Sequence, residues 1–280
     1  MKIQYLGTAA AEGTPALFCN CKICTRAREL GGKEFRTRSQ ALIDGNLLID
    51  FPADTYMHCL NNGIDLTTIK NVLITHNHSD HLYVDDIVMR FPGFSNQGEE
   101  NPITFFGTHG VMQAINGHIY RKNYNPSAWI KTQALVYYQP EMVGEYRVTA
   151  LEAVHDQGAC PAIYIIENPA GKRLLYAHDT DYFKDSVWEY LEQNPMHFDF
   201  VSLDCTNGNM KKVDYIGHMS LDVNIRVKEH LMQIGCADEK TVFCCNHFSH
   251  NADDVLYETF APLAEKEGFL TSYDGMEVSF

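Results

Sequence analysis

Positive charge is scarce in this chain. Its 280 residues carry 22 lysines and arginines against 36 aspartates and glutamates, a formal charge of -14. That balance disfavours a protein that grips nucleic acid through a general basic face. Long apolar runs are missing too, and none is long enough to span a membrane. There is no low-complexity stretch and no evident linker. No secretory leader is expected, since Met1-Lys2-Ile3-Gln4-Tyr5-Leu6 reads directly as a strand. The expectation is one domain over residues 1–280, with 45% hydrophobic residues to fill its core. Nine cysteines without a leader read as reduced thiols of a cytoplasmic protein, free or bound to metal.

Histidine, by contrast, is concentrated. The stretch Thr75-His76-Asn77-His78-Ser79-Asp80-His81 follows the apolar run Asn71-Val72-Leu73-Ile74, which reads as a buried strand. One tetrahedral zinc cannot readily take three imidazoles and a carboxylate from so short a loop. Two adjacent metals can, with His76 and His78 turned toward one and Asp80 and His81 toward the other. Such ligands suit Zn, Mn or Fe. His155 ends a strand over Tyr146–Val154 and would complete a three-histidine first site. Asp179 follows another strand end and is placed to bridge two metals, with Asp181 as the alternative. Asp50 also ends a strand, where it either orients a ligand histidine or caps the next turn.

Near the start, Cys19-Asn20-Cys21-Lys22-Ile23-Cys24 packs three thiols closely enough to share one zinc, with a fourth ligand from elsewhere. Cys59, Cys160, Cys205, Cys236, Cys244 and Cys245 read as buried, inert thiols. Strands are expected at Lys2–Leu6, Ala134–Tyr138 and Phe198–Leu203, and a hairpin turns at Asp44-Gly45-Asn46. A closing hairpin is expected over Phe269–Tyr273 and Glu277–Phe280, turned at Asp274-Gly275. Helices are expected over Ala53–Asn62, from a Ser220 cap to about Ile234, and over Asp253–Glu267. The basic patch Tyr120–Asn125 reads as a solvated helix end, with approach to an anionic substrate as the alternative. Chemistry recurs at strand ends, which points to an α/β domain of two sheet layers with helices outside.

With the histidine loop, His155, Asp179 and His247 together, the chain resembles the metallo-β-lactamase superfamily. The H-x-H-x-D-H loop is its most specific signature, and the resemblance covers essentially the whole chain. It implies an αββα sandwich, two mixed sheets with helices on the outer faces. It implies a first metal held by His76, His78 and His155, and a second held by Asp80, His81 and His247, with Asp179 bridging. Cys19, Cys21 and Cys24 with His250 look like the structural zinc site of the phosphoribosyl cyclic phosphate phosphodiesterases of phosphonate breakdown. Gly217-His218-Met219 resembles that family's catalytic histidine motif.

The implied activity is hydrolysis of a small cyclic phosphate ester with two divalent metals, Mn or Zn with Fe a third option, and one structural zinc. Water held between the metals would attack phosphorus, and His218 would protonate the departing oxygen beside Asp80. The implied partner is a small phosphate ester, with no membrane and no nucleic acid, and a homodimer is compatible with the sequence. Alternatives are an RNA 3′-end processing nuclease, a thioester hydrolase of the glyoxalase II kind, and a non-catalytic metal-binding accessory protein of cofactor biosynthesis. The roles of His178 and of the 92–125 insertion are left open.

Overall fold

Alternating apolar side chains sort this chain into layers. On one central strand Leu174 and Tyr176 enter one core while Leu175 and Ala177 enter another. On a strand of the other sheet Phe106 faces the shared core and Phe105 the opposite side. Strands that read as continuous hydrophobic runs are therefore buried on both faces. The computed structural model describes residues 1–96, 101–121, 128–211 and 216–280, with the backbone alone for 120 and 121.

The first half contributes β1 (Lys2–Gly7), α1 (Lys22–Leu30), β2 (Gln40–Ile43), β3 (Leu47–Ile49), α2 (Thr55–Asn62), β4 (Asn71–Leu73), α3 (Val84–Ile87), β5 (Ile103–Gly107), α4 (His109–Arg121) and β6 (Ile130–Ala134). The second half contributes β7 (Pro140–Val143), β8 (Tyr146–Glu152), β9 (Ala162–Glu167), β10 (Arg173–Ala177), α5 (Asp185–Gln193), β11 (Phe200–Asp204), α6 (Leu221–Gln233), β12 (Val242–Asn246), α7 (Tyr257–Lys266), β13 (Phe269–Thr271) and β14 (Glu277–Ser279). One sheet has the order β14-β1-β2-β3-β4-β5-β6 and the other β13-β12-β11-β10-β9-β8-β7. Helices α5, α6 and α7 bury Trp188, Val227 and Phe260 on the second sheet. Val111 and Ile115 of α4 cover the first sheet. The result is the expected αββα sandwich.

Both sheets mix strand directions. The parallel strands β3, β4 and β5 of one sheet and β10, β11 and β12 of the other bring their carboxyl ends to the histidine-bearing loops. Ligand sites gather at such ends because the loops there are free to converge.

Three expectations need correcting. The closing hairpin does not form. β13 pairs with β12 in one sheet, whereas β14 pairs with β1 in the other. The Asp274-Gly275 turn hands the chain across the sandwich instead. Its Asp274 carboxylate accepts from Thr8 Oγ1 and from the Thr37 amide, each at 2.7 Å. The strand expected over Ala134–Tyr138 is a second crossover, between the edge strands β6 and β7. Its apolar character serves the cores it passes between, with Leu135 buried in one and Tyr138 at positive φ packed on another. The last helix starts at Tyr257 rather than Asp253. Its first amides, of Tyr257 and Glu258, donate to the buried Glu34 carboxylate at 2.6 and 2.9 Å. Helix α1 had no counterpart in the sequence reading, and Cys21 supplies its N-cap. Ser220 does precede α6, but its hydroxyl makes no capping bond. No helix among the described residues is long and apolar enough to cross a membrane.

Gly7 ends β1 where the register against β2 shifts. A Cβ there would collide with the Arg38 carbonyl and lie 2.9 Å from His58 Cε1. Gly7→Ala is expected to destabilise the fold by about 3 kcal/mol. Denaturant unfolding checks this, and an unchanged midpoint would show that these backbones do not approach so closely.

Candidate metal centre and active site

The histidine loop is built on β4. Past Leu73, Thr75 donates its amide and its hydroxyl to Asp50 Oδ1 at 2.8 and 2.9 Å. A tight turn follows, in which the His81 and Leu82 amides both meet the His78 carbonyl. His81 is thereby folded back, and its Nδ1–H donates to Asp50 Oδ2 at 2.7 Å. Of the two roles open to Asp50, orienting a histidine is the one its geometry serves.

His76, His78 and His155 bring their ring nitrogens within 4.8 Å of one another, as do the donor atoms of Asp80, His81 and His247. In the first group each histidine has its second nitrogen occupied. His76 Nδ1 meets Thr75 Oγ1 at 3.1 Å, His78 Nε2 meets Asp156 at 3.2 Å, and His155 Nδ1 meets the Gly217 carbonyl at 3.2 Å. The inward nitrogens are then His76 Nε2, His78 Nδ1 and His155 Nε2, the last two 3.2 Å apart. His76 Nε2 is buried without a hydrogen-bond partner. In the second group, His81 Nε2 lies 3.3 Å from both His247 Nε2 and Asp80 Oδ2.

Asp179 joins the two groups. Its Oδ2 lies 2.7 Å from His81 Nε2 and 3.0 Å from His247 Nε2, and its Oδ1 lies 3.6 Å from His155 Nε2. Despite these approaches Oδ2 makes no aligned hydrogen bond. His81 has committed its Nδ1 proton to Asp50, so its Nε2 carries a lone pair. Two lone pairs 2.7 Å apart repel unless a cation lies between them. The donor set therefore fits a pair of divalent metals. The titration behaviour agrees. Burial alone would lower His81, but Asp179, Asp50 and Asp80 raise it well above the usual histidine range. Burial pushes His76 well below it. A metal would take the place of the proton that the carboxylates otherwise recruit.

One functional residue escaped the sequence reading. Asp204, at the end of β11, is fully buried. Its Oδ1 accepts from the Thr206 and Met219 amides at 2.9 and 3.0 Å. Its Oδ2 meets His218 Nδ1 at 2.9 Å and accepts from the Asp179 amide at 3.0 Å. Thr206 Oγ1 touches His218 Nδ1 at 3.1 Å and His247 Nδ1 at 2.8 Å. The available signal was position, because β10, β11 and β12 run parallel and lead to Asp179, Asp204 and His247 at their carboxyl ends. Burial lowers the His218 pKa, but the Asp204 charge and hydrogen bond outweigh it and lift the value to about 9.

The thiol cluster also assembles. Cys19, Cys21, Cys24 and His250 place their donor atoms within 4.8 Å of one another. His250 Nδ1 is 3.6 Å from both Cys19 Sγ and Cys21 Sγ. All nine cysteines are free. Burial works against ionisation of Cys21, but hydrogen bonds from the Cys24 amide and His250 bring it down to about 6. Burial carries Cys24 up to about 11. Three sulfurs and one imidazole fit a tetrahedral zinc.

The remaining expectations resolve differently. His178 points away from the site: its Nε2–H donates to Ser202 Oγ at 2.8 Å and its Nδ1 accepts from the Asn246 amide at 3.2 Å. Asp181 joins neither metal group. Cys59 and Cys160 are half-buried rather than buried like the other four inert thiols. Residues 122–125 of the basic patch lie outside the described residues, as does 97–100 of the 92–125 insertion. An open cavity of about 390 Å³ lies over the metal groups, lined by His78, Asp80, His155, Asp179, His218 and His247 among others.

Paired imidazole–carboxylate clusters at the strand ends of an αββα sandwich define a metallohydrolase type of fold. The comparisons agree. A model described as a beta-lactamase superfamily domain matches residues 46–237, and the chain belongs to that superfamily, whose members are mostly metal-dependent hydrolases. Coenzyme PQQ synthesis protein B of Methylobacterium radiotolerans is 30% identical over 131 residues, 42% of this chain. The match spans only 40% of that relative's length. Zinc-bound PqqB of Methylobacterium extorquens superposes with a TM-score of 0.77 at 19% identity, over 100% of both chains. A diphosphatase of the PhnP family superposes at 0.72 and 19% identity, over 100% of this chain and 97% of its own. Human tRNase Z, short form, superposes at 0.66 and 16% identity, over 100% and 99%. At these identities the superpositions show the shared fold.

Asp50→Asn leaves one acceptor oxygen where Thr75 and His81 now use two, removes the charge, and is expected to weaken metal binding about 10- to 100-fold. Titration with a competing chelator checks it. Cys21→Ala is expected to lose one tightly held zinc per chain and to lower the melting temperature. Unchanged zinc content by elemental analysis would remove the cluster as a metal site.

Proposed function

We propose that the protein is a dinuclear-metal phosphodiesterase that opens a small cyclic phosphate ester to a monoester. His76, His78 and His155 would hold one metal, and Asp80, His81 and His247 the other, with Asp179 between them. Bound there, divalent metals supply a water of lowered pKa as nucleophile and neutralise charge building on phosphate oxygens.

The observation that carries the reading is the His218–Asp204 pair beside these groups. Asp204 fixes His218 Nδ1 at 2.9 Å and keeps the ring protonated at neutral pH. The ring also lines the cavity, where a substrate's leaving group would reach it. A poor alkoxide leaving group needs such an acid, which is worth about 10²- to 10⁴-fold in rate. His218 Nδ1 lies only 3.8 Å from Asp179 Oδ1, so the acid sits at the edge of the metal pair. Gly217 holds the other side of this segment through its carbonyl bond with His155.

A second reading is a metal-binding accessory protein of cofactor biosynthesis, favoured by the 30% identity to a PQQ synthesis protein. Turnover separates the two. Phosphorus NMR of ribose 1,2-cyclic phosphate and its 5-phosphorylated form, incubated with Mn- and Zn-loaded protein, is expected to show metal-dependent growth of a monoester signal. His218→Ala is expected to lose about 10²- to 10⁴-fold of that rate while both metals remain bound. No conversion by metal-loaded protein would sink the phosphodiesterase reading.

A further inference from the structure

The loop after β1 supplies a side chain that the metal chemistry does not use. Glu12 lines the cavity that His78 and His155 also line, and it is held against Ser249 and Asn251 rather than against a metal group. The loop is stitched to the segment after β12. Ala9 bridges Phe248, the Ala10 amide donates to the Phe248 carbonyl at 3.0 Å, and the Phe248 amide to the Thr8 carbonyl at 2.9 Å. Glu12 itself is pinned through one oxygen. Its Oε1 accepts from Ser249 Oγ at 2.9 Å and from Asn251 Nδ2 at 2.8 Å. His250 Nε2 stands 3.9 Å from the same oxygen.

The other oxygen, Oε2, meets no donor among the described residues, and the side chain keeps 35% of its surface exposed. An ionised carboxylate is an acceptor only. None of the described residues around this cavity is Lys or Arg, and the charged ring in its lining, His218, is already paired with Asp204 at 2.9 Å. Arg38, which donates to the Ala11 carbonyl at 2.9 Å, has its Nη1 3.1 Å from Asp54. The metal end of the cavity calls for an anion, whereas the Glu12 end accepts hydrogen bonds and repels one.

We propose that Glu12 is a specificity-determining residue that selects phosphate esters whose far end carries hydroxyl or amino donors and rejects those with a second phosphate there. The inference rests on reading the cavity as a phosphoester site, and it narrows that substrate class. A polyol such as an unphosphorylated ribose would place a hydroxyl against Oε2. A 5-phosphate would bring like charge against it, with no lysine or arginine among the described lining residues to compensate.

The test measures binding, so it does not depend on turnover. Zn-loaded protein is titrated calorimetrically with ribose 1-phosphate and with ribose 1,5-bisphosphate. The wild type is expected to prefer the monophosphate by about tenfold. Glu12→Gln is expected to erase that preference, since the amide keeps an oxygen for Ser249 and Asn251 but loses the charge. A mere brace would leave the preference intact in Glu12→Gln and be lost only in Glu12→Ala. Equal or tighter binding of the bisphosphate by the wild type would overturn the proposal. So would an equal shift for both ligands in Glu12→Gln, or binding of neither. If the preference holds while the cyclic diesters are not hydrolysed, the assigned reaction falls and the role of Glu12 stands.

Discussion

Asp179 Oδ2 and His81 Nε2 face each other across 2.7 Å, a separation that calls for a proton or a metal cation between them. The rest of the molecule is arranged around that demand for positive charge. Asp179 comes from the second sheet and His81 from the first, so the contact exists only when the two sheets are packed together. The shared core supplies the force that closes them, through residues such as Tyr5, Ile49, Tyr164 and Tyr176. Hydrophobic burial has no direction of its own. It is the polar groups at the strand ends that set how the two sheets meet.

Those polar groups are held from behind. Asp50 aims His81, Thr206 meets His247, and Asp204 holds both His218 and the Asp179 amide. Beneath them runs a buried chain in which Tyr5 meets Ser202, Ser202 meets His178, His178 meets Asn246, and Asn246 meets Ser272. It ties strands of both sheets below the site without touching the cavity. His178 belongs to this support, and burial keeps it neutral by pushing its pKa well below the usual histidine range. A side chain directly before Asp179 is thus structural, because successive residues at a strand end point to opposite sides.

The chain ends meet at the same place. The thiol cluster joins the segment before α1 to His250, and Glu34 receives the first amides of α7. Glu12 reaches across this seam from the β1 loop to Ser249 and Asn251. The thiol cluster therefore lies on the seam that also forms a wall of the cavity.

The sequence by itself determined the donor inventory and its grouping along the chain. Dense imidazoles after an apolar strand, and three closely spaced thiols, have few other physical uses, so His76 to His81 and Cys19 to Cys24 were legible, and with them the family and the sandwich. The tertiary structure alone decided which partners meet over long separations. An Asp-Gly turn signals a reversal but not which sheet receives the next strand, so β14 crossed to β1 instead of pairing with β13. A short apolar run such as Ala134–Tyr138 is equally at home in a strand or in a crossover between two cores. Asp204 and Glu12 carry no motif. Each acquires its role only because packing places one carboxylate behind a histidine 14 residues away and the other against a loop 237 residues away.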